Sequence, residues 1–248
     1  MLNFYYWKLY KRFKQKNCCV ILFGEMRNTI DKLDNISKNL ILPNNADVFI
    51  SSWDYDKYKK CTIDKNYIKK IDWYLSPKSI DLFNFNNEFA KDDINDLRHV
   101  YRMITDDNQA ISFIAKWFHI ENAFNKTQNY KYVCISRIDT IYHNKINIQS
   151  DDLCIPADGD AFNGINDNLV YGPRDLVENF VEAGGHMGKT MLGYAFKNQV
   201  FHPERLLRYH LINIKNLTIK RTLDKFTIKD SFSYGLPTDI EYMDNKPL

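Results

Sequence analysis

An α/β fold, with a mostly parallel sheet between helices, is what this sequence predicts, and three observations carry the prediction. Residues 18–23, 47–52 and 132–135 are short apolar runs of β-favouring residues, of the length of buried strands. Between the first two, Ile30, Leu33, Ile36 and Leu40 recur at spacings of three, three and four, which is one face of a helix. The third run ends abruptly in Ser136, Arg137, Ile138 and Asp139, so a buried strand delivers charged side chains to one edge of a sheet. In an open α/β sheet that carboxyl edge is where ligands bind.

The first run ends at Gly24, where a glycine permits a turn or a close backbone approach. Arg27 follows as a candidate phosphate contact, with a solvated arginine as the plainer reading. The helix at 28–40 closes near Pro43, and the strand at 47–52 completes a strand, helix, strand unit whose strands should be parallel. Asp54 and Asp56 resemble an acidic metal box, but Lys57, Lys59 and Lys60 offset them and assign them to a solvated loop. Residues 61–107 are the least readable stretch, with one apolar run at 71–75. Residues 108–127 carry the widest apolar stripe, including Phe113, Ile114, Trp117, Phe118 and Phe124, which reads as core packing and not as a sugar platform. His119 on that helix reads as a boundary residue and not as a base.

Alternation puts Arg137 and Asp139 on one face if the strand continues through them, so a cation and an anion can serve one ligand. The plain alternative is an ion pair that fastens a loop. A strand at 153–156 follows, then the turn-rich Gly164, Ile165, Asn166 and Asp167. Helices are expected at 173–183, stopped by Gly184 and Gly185, and at 204–212, opened by His202, Pro203 and Glu204. Glu204 at a helix start can simply complement the dipole. A last strand at 217–221 precedes an irregular tail.

Bulk properties bound the function. The 248 residues suffice for one sizeable α/β domain or two small ones, and a formal charge of +3 is too small to argue for nucleic acid. Five cysteines without Cys-x-x-Cys spacing imply neither a zinc site nor a disulfide framework, and fit a reducing cytoplasm. No apolar run approaches the length of a membrane span. Residues 1–16 stand apart from the domain at 17–248: they interleave Phe4, Tyr5, Trp7, Tyr10 and Phe13 with five basic residues and no acid. Such a segment either packs as an ordinary helix or lies in a membrane interface over anionic headgroups, a peripheral anchor on the inner face.

The order of these segments resembles a family of bacterial capsule and lipopolysaccharide glycosyltransferases with a GT-A-like, Rossmann-like fold. The resemblance rests on Gly24 to Arg27 after the first strand, Asp47 to Trp53, Arg137-Ile138-Asp139, Gly164 to Asp167 with Tyr171-Gly172, and His202-Pro203-Glu204. It covers roughly residues 17–222, each motif is short, and their order carries the signal. It implies a nucleoside-diphosphate sugar as donor, a glycan or lipid-linked glycan as acceptor, and a place in polysaccharide biosynthesis. Gly24, Arg27, Arg137 and Asp139 would hold the donor, and Asp167, with Glu204 second, would act as acid or base. GT-A enzymes usually carry Asp-x-Asp where this chain has Arg137-x-Asp139. An arginine can grip phosphate as a planar fork, and Asp139 alone can still ligate Mg²⁺ or Mn²⁺, so metal dependence stays open. Loss of the first Asp also suits a catalytically idle carbohydrate or nucleotide-sugar binding module of the same fold. Transfer of another phosphorylated group onto a glycan is a third reading.

Overall fold

The computed structural model describes residues 16–26, 29–56, 61–84, 107–157, 160, 164–185, 203–228 and 242–243. Residues 1–15, on which the interfacial-helix reading falls, and Arg27 lie outside the described residues.

The α/β expectation holds. Eight strands form one sheet: β1 (Cys18–Gly24), β2 (Asp47–Trp53), β5 (Ser79–Phe83), β6 (Tyr132–Arg137), β8 (Leu153–Pro156), β9 (Leu169–Pro173), β10 (Ile219–Thr222) and β12 (Tyr242–Met243). Their spatial order is β12-β10-β8-β9-β6-β1-β2-β5. β1 pairs in parallel with both β2 and β6, β2 with β5, and β8 with β10, whereas β9 runs against β6 and β8, and β12 against β10. Six strands therefore point one way, and their carboxyl ends share an edge. β3 (Tyr55–Asp56) with β4 (Cys61–Thr62), and β7 (Thr140–Tyr142) with β11 (Phe226–Ile228), form two small antiparallel pairs.

Both faces of the sheet are covered, which is why inner strands such as β1, β8 and β9 are apolar along most of their length, whereas β5 and β10 nearer the edges alternate with polar residues. Cys19, Ile21 and Phe23 of β1 pack on one side with α3 (Asp107–Phe124), α4 (Arg174–Gly185) and α5 (Pro203–Arg208, continuing as a π turn over Tyr209–Ile214). Cys18, Val20 and Leu22 pack on the other side with α1 (residues 29–44) and α2 (Lys65–Leu75). The period of two along a strand sorts one apolar run into two cores.

Local chemistry explains the element ends. α1 spans 29–44 as a 3₁₀ turn (Thr29–Lys32), an α turn (Leu33–Ile36), a π turn (Ser37–Ile41) and a last α turn (Leu42–Asn44). Pro43 is tolerated inside that last turn, and Asn45, with φ at 47°, ends the helix in the left-handed region. Asp64 caps α2 by accepting from the Tyr67 N–H at 2.7 Å. The apolar run at 71–75 is thus the end of a helix, with Ile71 and Leu75 buried one turn apart.

Two expectations need adjustment. Gly184 and Gly185 do not stop α4 but form its last turn, and a Cβ on Gly184 would lie 2.6 Å from the Trp117 ring of α3. The glycine is there for close helix packing. The chain after Thr227 is also not wholly irregular, because β11 ends at Ile228 and Tyr242–Met243 adds a short strand to β10.

Candidate active site

The carboxyl edge of the sheet gathers charge from four separated parts of the chain. β1 reaches it at Phe23, Gly24 and Glu25, β2 at Trp53, and β6 at Arg137, while α3 crosses above with Ala115, Lys116 and His119; together they line a pocket of about 100 Å³. Gly24 has φ at +101°, and an added Cβ there would meet nothing within 4 Å. Its backbone conformation demands glycine and leaves the edge open. The Ser52 hydroxyl donates to the Gly24 carbonyl at 2.6 Å, and the Ile138 N–H to the Phe23 carbonyl at 2.9 Å, which fixes the strand ends around the opening.

Arg137 and Asp139 meet, though not by strand alternation. β6 ends at Arg137, and residues 138–139 form a turn that folds the carboxylate back. Arg137 Nε donates to Asp139 Oδ1 at 2.8 Å and Nη2 to Oδ2 at 2.7 Å, a bidentate pair. The carboxylate is 1% exposed while a quarter of the Arg137 side chain remains accessible, at 26%. Asp139 is therefore below and Arg137 faces the pocket. Buried Lys32 of α1 donates to the Asp139 carbonyl at 2.7 Å and holds the turn from the other side of the sheet.

Asp167 and Glu204 are brought together. Ile165 N–H donates to the Glu204 carbonyl at 3.2 Å, and a Cβ on Gly164 would come within 2.4 Å of the Glu204 backbone, so only glycine lets the 164–168 segment lie against the start of α5. That segment is braced from below. Fully buried Arg221 of β10 donates to the Pro156 carbonyl at 2.9 Å and to Asp160 at 2.5 Å, and Asp160 accepts the Asn166 N–H at 2.7 Å. Asp167, 8% exposed, forms an ion pair with Lys116 of α3.

Charge and burial set the proton chemistry. Burial, together with the charge of neighbouring Asp167, pushes the Glu204 carboxyl up to about 7. Burial lowers the Lys116 ammonium from its ordinary value, opposed by Asp167 and Glu204. Burial pushes the His119 imidazole down to about 4, so it is neutral near pH 7. The arrangement offers two cations beside a pocket, each ion-paired with a carboxylate, and a further carboxylate poised to take a proton near neutrality.

Asp139, the residue expected to ligate a divalent cation, is already committed to a guanidinium. Both Asp139 oxygens are engaged by Arg137, Lys116 adds positive charge alongside, and among the described residues no three His, Cys, Asp or Glu side chains converge as ligands. A metal at Asp139 would have to displace the guanidinium.

Of the sequence candidates, Gly24 and Arg137 line the pocket, Asp139 orients Arg137, and Asp167 and Glu204 stand together beside Lys116. Sequence reasoning missed Lys116, Glu25 and Lys32. Lys116 had a signal: it interrupts an otherwise apolar stretch from Ala115 to Phe118 on a helix packed against the sheet. Lys32, 3% exposed inside the α1 pattern, had none.

No protein-family model matches the chain. It is 32% identical over 81 residues to an uncharacterized protein, 391R, of Invertebrate iridescent virus 6, a match that covers 31% of this chain and 28% of that protein. Among the described residues no helix is long and apolar enough to cross a membrane.

Proposed function

We propose that this protein is a glycosyltransferase that moves a sugar from a nucleoside-diphosphate donor onto a glycan. The observation that carries the reading is the convergence of Arg137 and Lys116 on a pocket at the carboxyl edge of the sheet, with Asp167 and Glu204 alongside. A leaving diphosphate needs its negative charge neutralised, and a partly accessible guanidinium held from beneath by Asp139, with a largely buried ammonium next to it, supplies that without reorganisation. Attack by an acceptor hydroxyl needs a proton acceptor, and Glu204 is matched to the task at about 7. Asp167, tied to Lys116, suits a hold on a sugar hydroxyl better than proton transfer. The mostly parallel sheet with one internal reversed strand, β9, is compatible with the GT-A-like fold that the sequence resembles. The choice of a bacterial capsule or lipopolysaccharide acceptor rests on that resemblance.

A specific observation favours a second reading, a binding module without turnover: Arg137 with Asp139 and Lys116 with Asp167 are closed ion pairs that neutralise each other. One experiment addresses both. Titration calorimetry with a panel of nucleoside-diphosphate sugars, with and without Mn²⁺, is combined with release of free nucleoside diphosphate in the presence of envelope glycans. The transferase reading expects metal-independent binding that falls by roughly ten-fold or more in Arg137→Ala, together with turnover. Binding without turnover across the panel favours the module, and undiminished binding by Arg137→Ala overturns the donor site.

A further inference from the structure

The apolar half of the pocket holds a polar group that the charge chemistry leaves unused. His119 is 1% exposed and lines the pocket next to Trp53, the two rings meeting edge to face at 4.5 Å. Its Nδ1 lies 3.0 Å from Ser51 Oγ, on the side of β2. Its Nε2 is buried and has no hydrogen-bond partner. An orphaned ring nitrogen of this kind costs stability unless something binds to it.

A chain of hydrogen bonds decides what that nitrogen offers. The Asp81 carboxylate accepts from the Asn122 amide at 3.3 Å and pairs with the Lys126 ammonium. The Asn122 NH₂ is thereby turned toward the sheet, where it also donates to Ser51 Oγ at 3.5 Å. If Ser51 Oγ, taking the Asn122 N–H on one lone pair, gives its own proton to His119 Nδ1, the pair is satisfied. A neutral imidazole that accepts at Nδ1 carries its proton at Nε2. The buried, unpartnered nitrogen is then an N–H donor without charge.

Building on the donor-sugar reading, we infer that His119 is the residue that selects the donor's nucleobase, its Nε2–H donating to a ring carbonyl of a uracil-type base. The pocket's composition supports the choice of ligand. Arg137 and Lys116 suit a diphosphate, whereas Trp53 and the neutral imidazole against it suit a flat, weakly polar ring. An adenine amino group would set a donor against a donor and leave both unpaired.

The test uses the full chain and three probes: uridine diphosphate, adenosine diphosphate and inorganic pyrophosphate. Calorimetry should show uridine diphosphate bound at least about ten-fold more tightly than adenosine diphosphate. His119→Phe, which keeps the ring but loses the donor, should erase that preference while leaving pyrophosphate affinity unchanged; His119→Gln should restore part of it. Where the phenylalanine variant does not fold, Ser51→Ala serves, since freeing Nδ1 lets the tautomer redistribute and should weaken uridine diphosphate several-fold. Long-range ¹⁵N spectra of the imidazole should show the Nε2–H form in wild type and a mixture in Ser51→Ala. Pyrophosphate binding with equal affinity for the two nucleotides, or an Nδ1–H tautomer, overturns the role of His119 alone. Absence of binding by all three probes overturns the donor-sugar reading and this inference with it.

Discussion

Glu204 shows how a carboxylate can be kept on the edge of ionisation by position alone. It sits at the start of α5, where the helix end favours negative charge, yet burial and the adjacent Asp167 together win and raise it to about 7. The folded protein therefore holds a proton that the unfolded chain releases near 4.5, so Glu204 contributes a loss of stability as pH rises from about 4.5 through 7. Glu204→Gln should flatten that part of the stability curve in urea titrations at pH 5 and pH 8. The same variant should lower transfer by roughly 10²–10⁴-fold with donor affinity unchanged, and remove a rise in wild-type rate centred near pH 7. A variant with normal turnover, or a wild-type rate flat from pH 5 to 8, would show that the proton goes elsewhere. Asp139 poses a different question at the same scale, because its carboxylate is buried while its partner is not. Asp139→Ala leaves the guanidinium without a brace, and should cost about 1–3 kcal/mol in chemical denaturation as well as donor binding.

At the level of elements, the turn segment 164–168 is the part that assembles the site, since it carries Asp167 and rests on the first turn of α5. Gly164→Ala would force a carbon to within 2.4 Å of the Glu204 backbone, and the segment has to lift. The expected outcome is a loss of about 1–3 kcal/mol with a fall in kcat larger than the rise in KM; an unchanged kcat would mean that Asp167 and Glu204 need not adjoin. This contact also marks how far the sequence could be read. The motif from Gly164 to Asp167 was visible, and so was the helix at Glu204, but nothing local says that they touch. The strand ends at Gly24 and Arg137 were legible because a buried strand has a composition of its own. Asp139 was reached by a wrong route: alternation predicted the pairing, whereas a turn made it. Lys116 escaped, and His119 was read only as a boundary residue, because a helix stripe read from one sequence does not say which residues at its margin overhang the sheet edge. Lys32 escaped because a buried lysine that bonds a carbonyl across the sheet resembles any solvated one.

Across the whole molecule, the site draws on parts that the chain order keeps far apart: β1 and β2 from the amino-terminal half, α3 and β6 from the middle, and the 164–168 segment with α5 beyond them. Each of the two helical layers contributes, α3 and α5 from one and Lys32 of α1 from the other. Arg137 and Lys116 face one pocket, each balanced by its own carboxylate, Asp139 or Asp167, so an anion there has to win a share of both cations. A ligand that neutralises them binds only when β6, α3 and the β1 end are all in place, so it stabilises the folded state as a unit. At a concentration one hundred times its Kd a nucleoside diphosphate should add about 2.7 kcal/mol. For a chain of this size that corresponds to about 5–11 °C in Tm. Differential scanning fluorimetry at low ionic strength should show that shift for wild type. Arg137→Ala should lose most of it, and 0.5 M salt should reduce it by screening the exposed part of the guanidinium. A shift that survives both changes would locate the anion away from the carboxyl edge, because no other assignment of the diphosphate keeps Arg137 and Lys116 as its partners.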